Sequence, residues 1–190
     1  MTRFVDRGAV FAGYVGIGMA AVVAVSFLLV VPIEQVAWLL MPLGGILIGY
    51  YADSRSERQR GPWRRILGNA AWAGLVTGLS FVLLLLLIKS IFFFADDGYR
   101  GDVFGGRLDC QAGPACVYAR YRAADAAGLT ANGITDVNSF TAAYWRQQAT
   151  TGGVLVGATL VGGVLGGLLF AAARPKNRQE PATIPGARSG

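Results

Sequence analysis

Histidine is absent from this 190-residue chain, which removes the commonest general base and the commonest metal and haem ligand. Only two cysteines are present, too few to complete a tetrahedral zinc site. Charge is scarce as well. Asp, Glu, Lys and Arg make up 15% of the residues, against roughly 25% in soluble domains. Residues 8–33, 35–52, 66–88 and 147–173 contain none of the four. Proton relays and ion-coupled transporters place ionisable side chains deep inside a span, and these runs offer none. A Ser–His or paired-aspartate arrangement for intramembrane proteolysis and a phosphate-binding glycine–lysine loop are also missing. The expectation is a non-catalytic protein without cofactor or metal.

The charge-free runs themselves are the main positive signal. A helix needs roughly 20 mostly apolar residues to cross the hydrocarbon core of a bilayer. Three of the runs exceed that length and the second falls just short. The sequence therefore predicts an all-α membrane protein with four transmembrane helices arranged as two hairpins. Pro32–Gln35 make the tight turn of the first hairpin, and Pro42 interrupts the second span. The first run is too long for a signal-peptide core and reads as a retained anchor.

Arginine sets the orientation. Arg3 and Arg7 precede the first run, Arg55, Arg58, Arg60, Arg64 and Arg65 separate the second from the third, and Arg174, Lys176, Arg178 and Arg188 follow the fourth. With four spans these segments share one side, and the positive-inside bias makes it cytoplasmic. The net charge of +6 thus orients the chain and meets lipid heads; nucleic acid is not the expected partner. Residues 1–95 would hold three spans with a cytoplasmic N-terminus, 96–146 an extracytoplasmic domain, 147–173 the fourth span, and 174–190 a disordered cytoplasmic tail. Lysine occurs only at 89 and 176 while Arg, Ala and Gly abound, a composition that points to a GC-rich bacterial genome and so to a bacterial inner membrane.

Within 96–146, Asp96, Asp97 and Asp102 read as a solvated acidic loop, since their spacing does not fit a calcium loop. Cys110 and Cys116 flank Gln-Ala-Gly-Pro-Ala, and on the oxidising side of a membrane such a pair is expected to form a structural disulfide. Val117–Ala127 reads as a helix stopped by Gly128. Asn132-Gly133 is a turn signal, and Asp136 is an N-cap for a helix that continues into the fourth span. Tyr144 and Trp145 would mark the outer aromatic belt, with Tyr50, Tyr51 and Trp63 at the inner one. Lys89 ends the third run at the outer interface, where Glu34 is a candidate ion-pair partner.

Small residues recur every fourth position in each span. Gly45 and Gly49 lie in the second, Gly74 and Gly78 in the third, and Gly153 with Gly157, Gly162 with Gly166 and Gly163 with Gly167 in the fourth. This spacing lets helix backbones approach closely, either inside the bundle or against another chain. The fourth span carries glycine on two faces, so at least one of them is expected to meet a partner. Ala20–Val31 also resembles Gly74–Leu85, and Gly44–Gly49 resembles Gly162–Gly167, in an order that suggests a duplicated pair of spans. Two functions remain in view. The first is an accessory or assembly subunit packed against other membrane proteins. The second is a homo-oligomeric channel or uncoupled transporter, with Asn69, Thr77 and Ser80 lining its path.

Overall fold

The structure is a computed structural model that describes residues 5–28, 34–56, 62–95 and 110–173, the side chains of 27–28 and 34–36 excepted. It is all-helical, with α1 (Arg7–Leu28), α2 (Glu34–Ser54), α3 (Trp63–Ala95), α4 (Pro114–Ala131) and α5 (Val137–Ala173). The acidic loop at Asp96, Asp97 and Asp102 and the tail beyond Ala173 lie outside the described residues.

Helix ends follow local chemistry. Pro114 opens α4, where its missing N–H costs nothing. At the other end of α4, Ile134 N–H reaches the Leu129 carbonyl (2.9 Å), Gly133 N–H reaches that of Thr130 (3.0 Å), and Gly133 takes a φ of 72°. That is the glycine-dependent closure that satisfies the last carbonyls of a helix. Asp136 Oδ1 then accepts the N–H groups of Asn138 (2.7 Å) and Ser139 (3.0 Å), while Ser139 Oγ accepts the Asp136 N–H (3.2 Å). This reciprocal cap starts α5, which runs unbroken to Ala173.

The expected 117–127 helix needs correction. It begins earlier, at Pro114, and Gly128 does not stop it. The backbone instead leaves helical geometry at Asp125 (φ −152°, ψ 74°), and the Asp125 carboxylate accepts the Gly128 N–H at 2.8 Å. Asp125 thus caps a second short segment that ends at Ala131.

Cross-helix contacts fix the directions. Asp6 meets Asn69 and Gly13 meets Val76, so α1 and α3 run the same way. The Pro42 carbonyl lies under Gly162, that of Ile46 under Gly166, and Tyr50 meets Phe170 edge-on at 5.5 Å, so α2 and α5 also run together. Gly74 faces Gly163, Lys89 bonds Gln148 and Phe93 stacks on Tyr144, which makes α3 and α5 antiparallel. α1 and α5 sit on opposite sides of the central α2–α3 pair and do not touch among the described residues.

The size gradient is the reverse of a soluble bundle. Buried positions are dominated by small residues such as Ala9, Ala12, Ala52, Ala70 and Ala73, while Val22, Leu39, Leu47, Leu83, Leu87 and Val161 are exposed. Among the described residues three helices are long and apolar enough to cross a membrane, at Arg7–Ser26, Trp63–Ala95 and Val137–Ala173. These features are compatible with a membrane protein. The expected second span does not reach the same measure. α2 is 21 residues long, contains Pro42, and its apolar stretch is diluted by glycines and closes on Tyr-Tyr-Ala-Asp-Ser. At about 1.5 Å per residue, α3 and α5, with 33 and 37 residues, outreach a hydrocarbon core of roughly 30 Å.

Candidate functional site

α5 is the element on which the bundle closes, and glycine makes the closure possible. On one face, a Cβ at Gly162 would overlap the Pro42 carbonyl and one at Gly166 the Ile46 carbonyl. On the adjacent face, Gly163 lies against Ala70 and Gly74, and Gly167 against Ala70 and Asp53. The opposing helices contribute their own glycines. Gly45 and Gly49 of α2 sit on the carbonyls of Thr159 and Gly163, while Gly74 and Gly78 of α3 sit on Thr159, Gly163 and Val156. The two similar segments 44–49 and 162–167 therefore lie against each other in parallel. Backbones brought this close gain dispersion contacts that lipid cannot match.

The arrangement changes the meaning of the two glycine faces. Gly162/Gly166 is taken by α2 and Gly163/Gly167 by α3, so the expectation that one of them meets another chain finds both faces occupied. Gly153 and Gly157 behave differently: a Cβ at either would meet no heavy atom within 4 Å. The inward position at that level belongs to Gly152, packed against Val82.

Polar groups gather at both ends of the packed core. At the arginine-rich end, Ser56 Oγ donates to Asp6 Oδ2 (2.8 Å), Asn69 Nδ2 donates to the same oxygen (3.4 Å), and the Asp6 N–H donates to Asn69 Oδ1 (3.2 Å). One carboxylate thereby ties the start of α1 to the end of α2 and the first turns of α3. Asn69 and Asp53 are each only 1% exposed. Neither Asp6 nor Asp53 was singled out from sequence, yet Asp53 continues the four-residue row of Gly45 and Gly49, and that spacing was the available signal. Thr77 and Thr159, midway along their helices, donate to the carbonyls of Ala73 (2.8 Å) and Leu155 (2.7 Å) of their own turns.

At the far end, Lys89 Nζ donates to Gln148 Oε1 at 2.8 Å. The Glu34 side chain, its expected partner, lies outside the described residues. Above this level Phe93 contacts Phe140, Tyr144 and Trp145, and Phe140 receives Tyr118 and Tyr121 from α4. These rings dock α4 on the projecting ends of α3 and α5. The sulfurs of Cys110 and Cys116 stand at disulfide distance, with Cα atoms 5.5 Å apart. Cys116 is buried in the first turn of α4, its N–H on the Gly113 carbonyl. The hydrogen bonds from the backbone of Ser139 and Asn138 hold the Asp136 carboxyl below its ordinary pKa.

A cleft of about 630 Å³ opens between α4 and α5, with Tyr121, Asp125 and Leu129 on one wall and Arg146, Gln147 and Thr150 on the other. Among the described residues no three histidine, cysteine or carboxylate side chains come together. No protein-family model matches the chain, and neither curated proteins nor solved structures show a match to it.

Proposed function

We propose that this chain is a non-catalytic integral membrane protein that serves as an accessory or assembly subunit. Four spans form two hairpins, α1 with α2 and α3 with α5. Both termini and the 53–65 loop lie in the cytoplasm, and the α4 region lies outside a bacterial inner membrane. α2 is counted as a span because it is seated on α5 by direct backbone contact while Trp38, Leu39, Leu40, Leu43 and Leu47 face outward. In this reading Cys110–Cys116 is a structural disulfide that holds the start of α4, and protein isolated with thiols trapped yields no free cysteine.

The observation that carries the proposal is the glycine closure of α2, α3 and α5. With backbone filling the interior, the surfaces left for function are the apolar outer faces and the α4 region. The channel reading asks Asn69, Thr77 and Ser80 to line a path. Asn69 and Thr77 are instead buried and hydrogen-bonded, which favours the subunit reading. Purification from the native host in mild detergent separates the two. Foreign membrane subunits in fixed stoichiometry are the expected result, and a symmetric oligomer of this chain alone would overturn it.

A further inference from the structure

The cleft between α4 and α5 joins three features that the bundle itself leaves unused. Its walls carry one cation, Arg146, and one anion, Asp125. No ion pair joins the two, and Arg146 makes no other among the described residues. One oxygen of Asp125 is engaged by the Gly128 N–H, and the carboxylate still lines the cleft. A ligand that brings an oxyanion to Arg146 and a cation to Asp125 would satisfy both. A purely anionic ligand would set a second negative charge toward Asp125. The volume of about 630 Å³ falls within the roughly 300–1,000 Å³ of small-molecule clefts.

The level of the cleft is the second feature. Arg146 is the last charged residue before the charge-free run 147–173. Gln148 is bonded to Lys89, the residue that follows the charge-free run 66–88 of α3. The cleft therefore straddles the height at which both long helices lose their charge, which is where lipid headgroups meet hydrocarbon.

The third feature is the pair of open glycines. Arg146, Thr150, Gly153 and Gly157 follow one another at four, three and four residues, so they share one face of α5. Below Arg146 and Thr150 the next two positions of that face are Gly153 and Gly157. A Cβ at Gly153 or Gly157 would meet nothing within 4 Å, and exposed Val154 and Val161 flank the strip. An open, apolar strip thus adjoins the charged cleft on the way into the apolar half of α5.

We propose that the α4/α5 cleft binds a zwitterionic phospholipid, with its phosphate on Arg146, its ammonium toward Asp125 and an acyl chain along the open Gly153–Gly157 strip. The inference rests on the membrane placement proposed above. The test uses the full-length protein, delipidated in detergent and titrated with phosphatidylethanolamine, phosphatidylglycerol and water-soluble glycerophosphoethanolamine, with bound molecules counted by native mass spectrometry. The zwitterionic lipid should bind about tenfold better than the anionic one, the scale of one charge-assisted hydrogen bond, and at least about tenfold better than the soluble headgroup, which keeps both charges but buries no acyl chain. Arg146→Gln should lower its binding by about the same factor. Asp125→Asn keeps an oxygen for the Gly128 N–H and should erase the preference over the anionic lipid. Gly157→Leu should weaken the lipid alone. Variants that bind as the parent does, or a soluble headgroup that competes as well as the lipid, would overturn the site. Alkaline carbonate extraction separates the two levels of the argument. A chain washed from membranes defeats the membrane reading itself, whereas a retained chain with unaltered lipid binding defeats only the cleft.

Discussion

Gly49 of α2 lies so close to the carbonyl of Gly163 on α5 that no side chain fits between them. The same holds at Gly166 against Ile46, whereas Gly157 on the same helix faces open space. This contrast makes a matched test. Gly166→Leu forces two backbones apart and is expected to cost at least the 1–3 kcal/mol typical of overpacking. Gly157→Leu adds apolar surface where nothing lies within 4 Å and should leave stability nearly unchanged. Unfolding in mixed detergent–SDS micelles, followed by circular dichroism, reads the difference. Equal midpoints for the two variants would show that α2 and α5 do not close as described.

A second prediction concerns the clasp at the arginine-rich end. Asn69→Ala removes the amide and leaves the Asp6 N–H and part of its carboxylate without their partner. Stranding such groups costs about 1–3 kcal/mol. Thr77→Val is the control, because the Thr77 hydroxyl bonds only its own helix and the branched shape is kept. The Asn69 variant should lose stability in the same micelle assay while the Thr77 variant stays close to the parent. The reverse order would remove the clasp from the account of how α1 is held.

These two cases also mark what was legible in the sequence. The long charge-free runs announced apolar helices, because a chain that must satisfy its backbone without water has few alternatives. The Asp136 cap of α5 and the Asn132-Gly133 turn were readable for a similar reason, since each depends on residues a few positions apart. Pairing was not readable. Four-residue glycine spacing declares a close-packing face but not its neighbour, and α5 uses its two faces on α2 and α3 of the same chain. Ser56 lies just past the end of α2, and its partner, Asp6, is fifty positions away, beyond the reach of any local pattern. Gly128 reads as a stop where the backbone in fact breaks at Asp125, since a glycine ends helices more often than an aspartate restarts one. α2 is where composition spoke least clearly, its apolar character diluted by Pro42 and the glycines that let it pack.

Acid should act on the start of α5. The Asp136 carboxyl is held below its ordinary pKa of 3.8 by the backbone N–H groups of Ser139 and Asn138. A carboxyl with a lowered folded pKa contributes stability above its unfolded value and loses it as pH falls through the folded one. Amide exchange at Asn138 and Ser139 should therefore stay slow through neutral pH, after correction for the intrinsic rate. It should rise only below the ordinary carboxyl range. Asp136→Ala should show fast exchange at these amides at every pH. A parent protein whose corrected exchange is flat through that acid range would refute the charge-assisted cap.

Topology is best tested at residues the structure leaves accessible. Ser56 is buried and bonded to Asp6, so a cysteine there would report packing instead of sidedness. Arg55 and Asn138 are exposed at opposite ends of the bundle. In a background with Cys110 and Cys116 replaced by serine, single cysteines at these two positions can be challenged in intact cells with a membrane-impermeant maleimide. The arginine asymmetry around the spans predicts labelling at 138 and protection at 55 until the cells are opened. Positions 55 and 138 lie at the two ends of α3, one of the helices long and apolar enough to cross a membrane, so they must label oppositely if α3 crosses. Labelling at 55 but not 138 would invert the orientation. Labelling of both in intact cells would remove the separation by a membrane on which the subunit proposal depends.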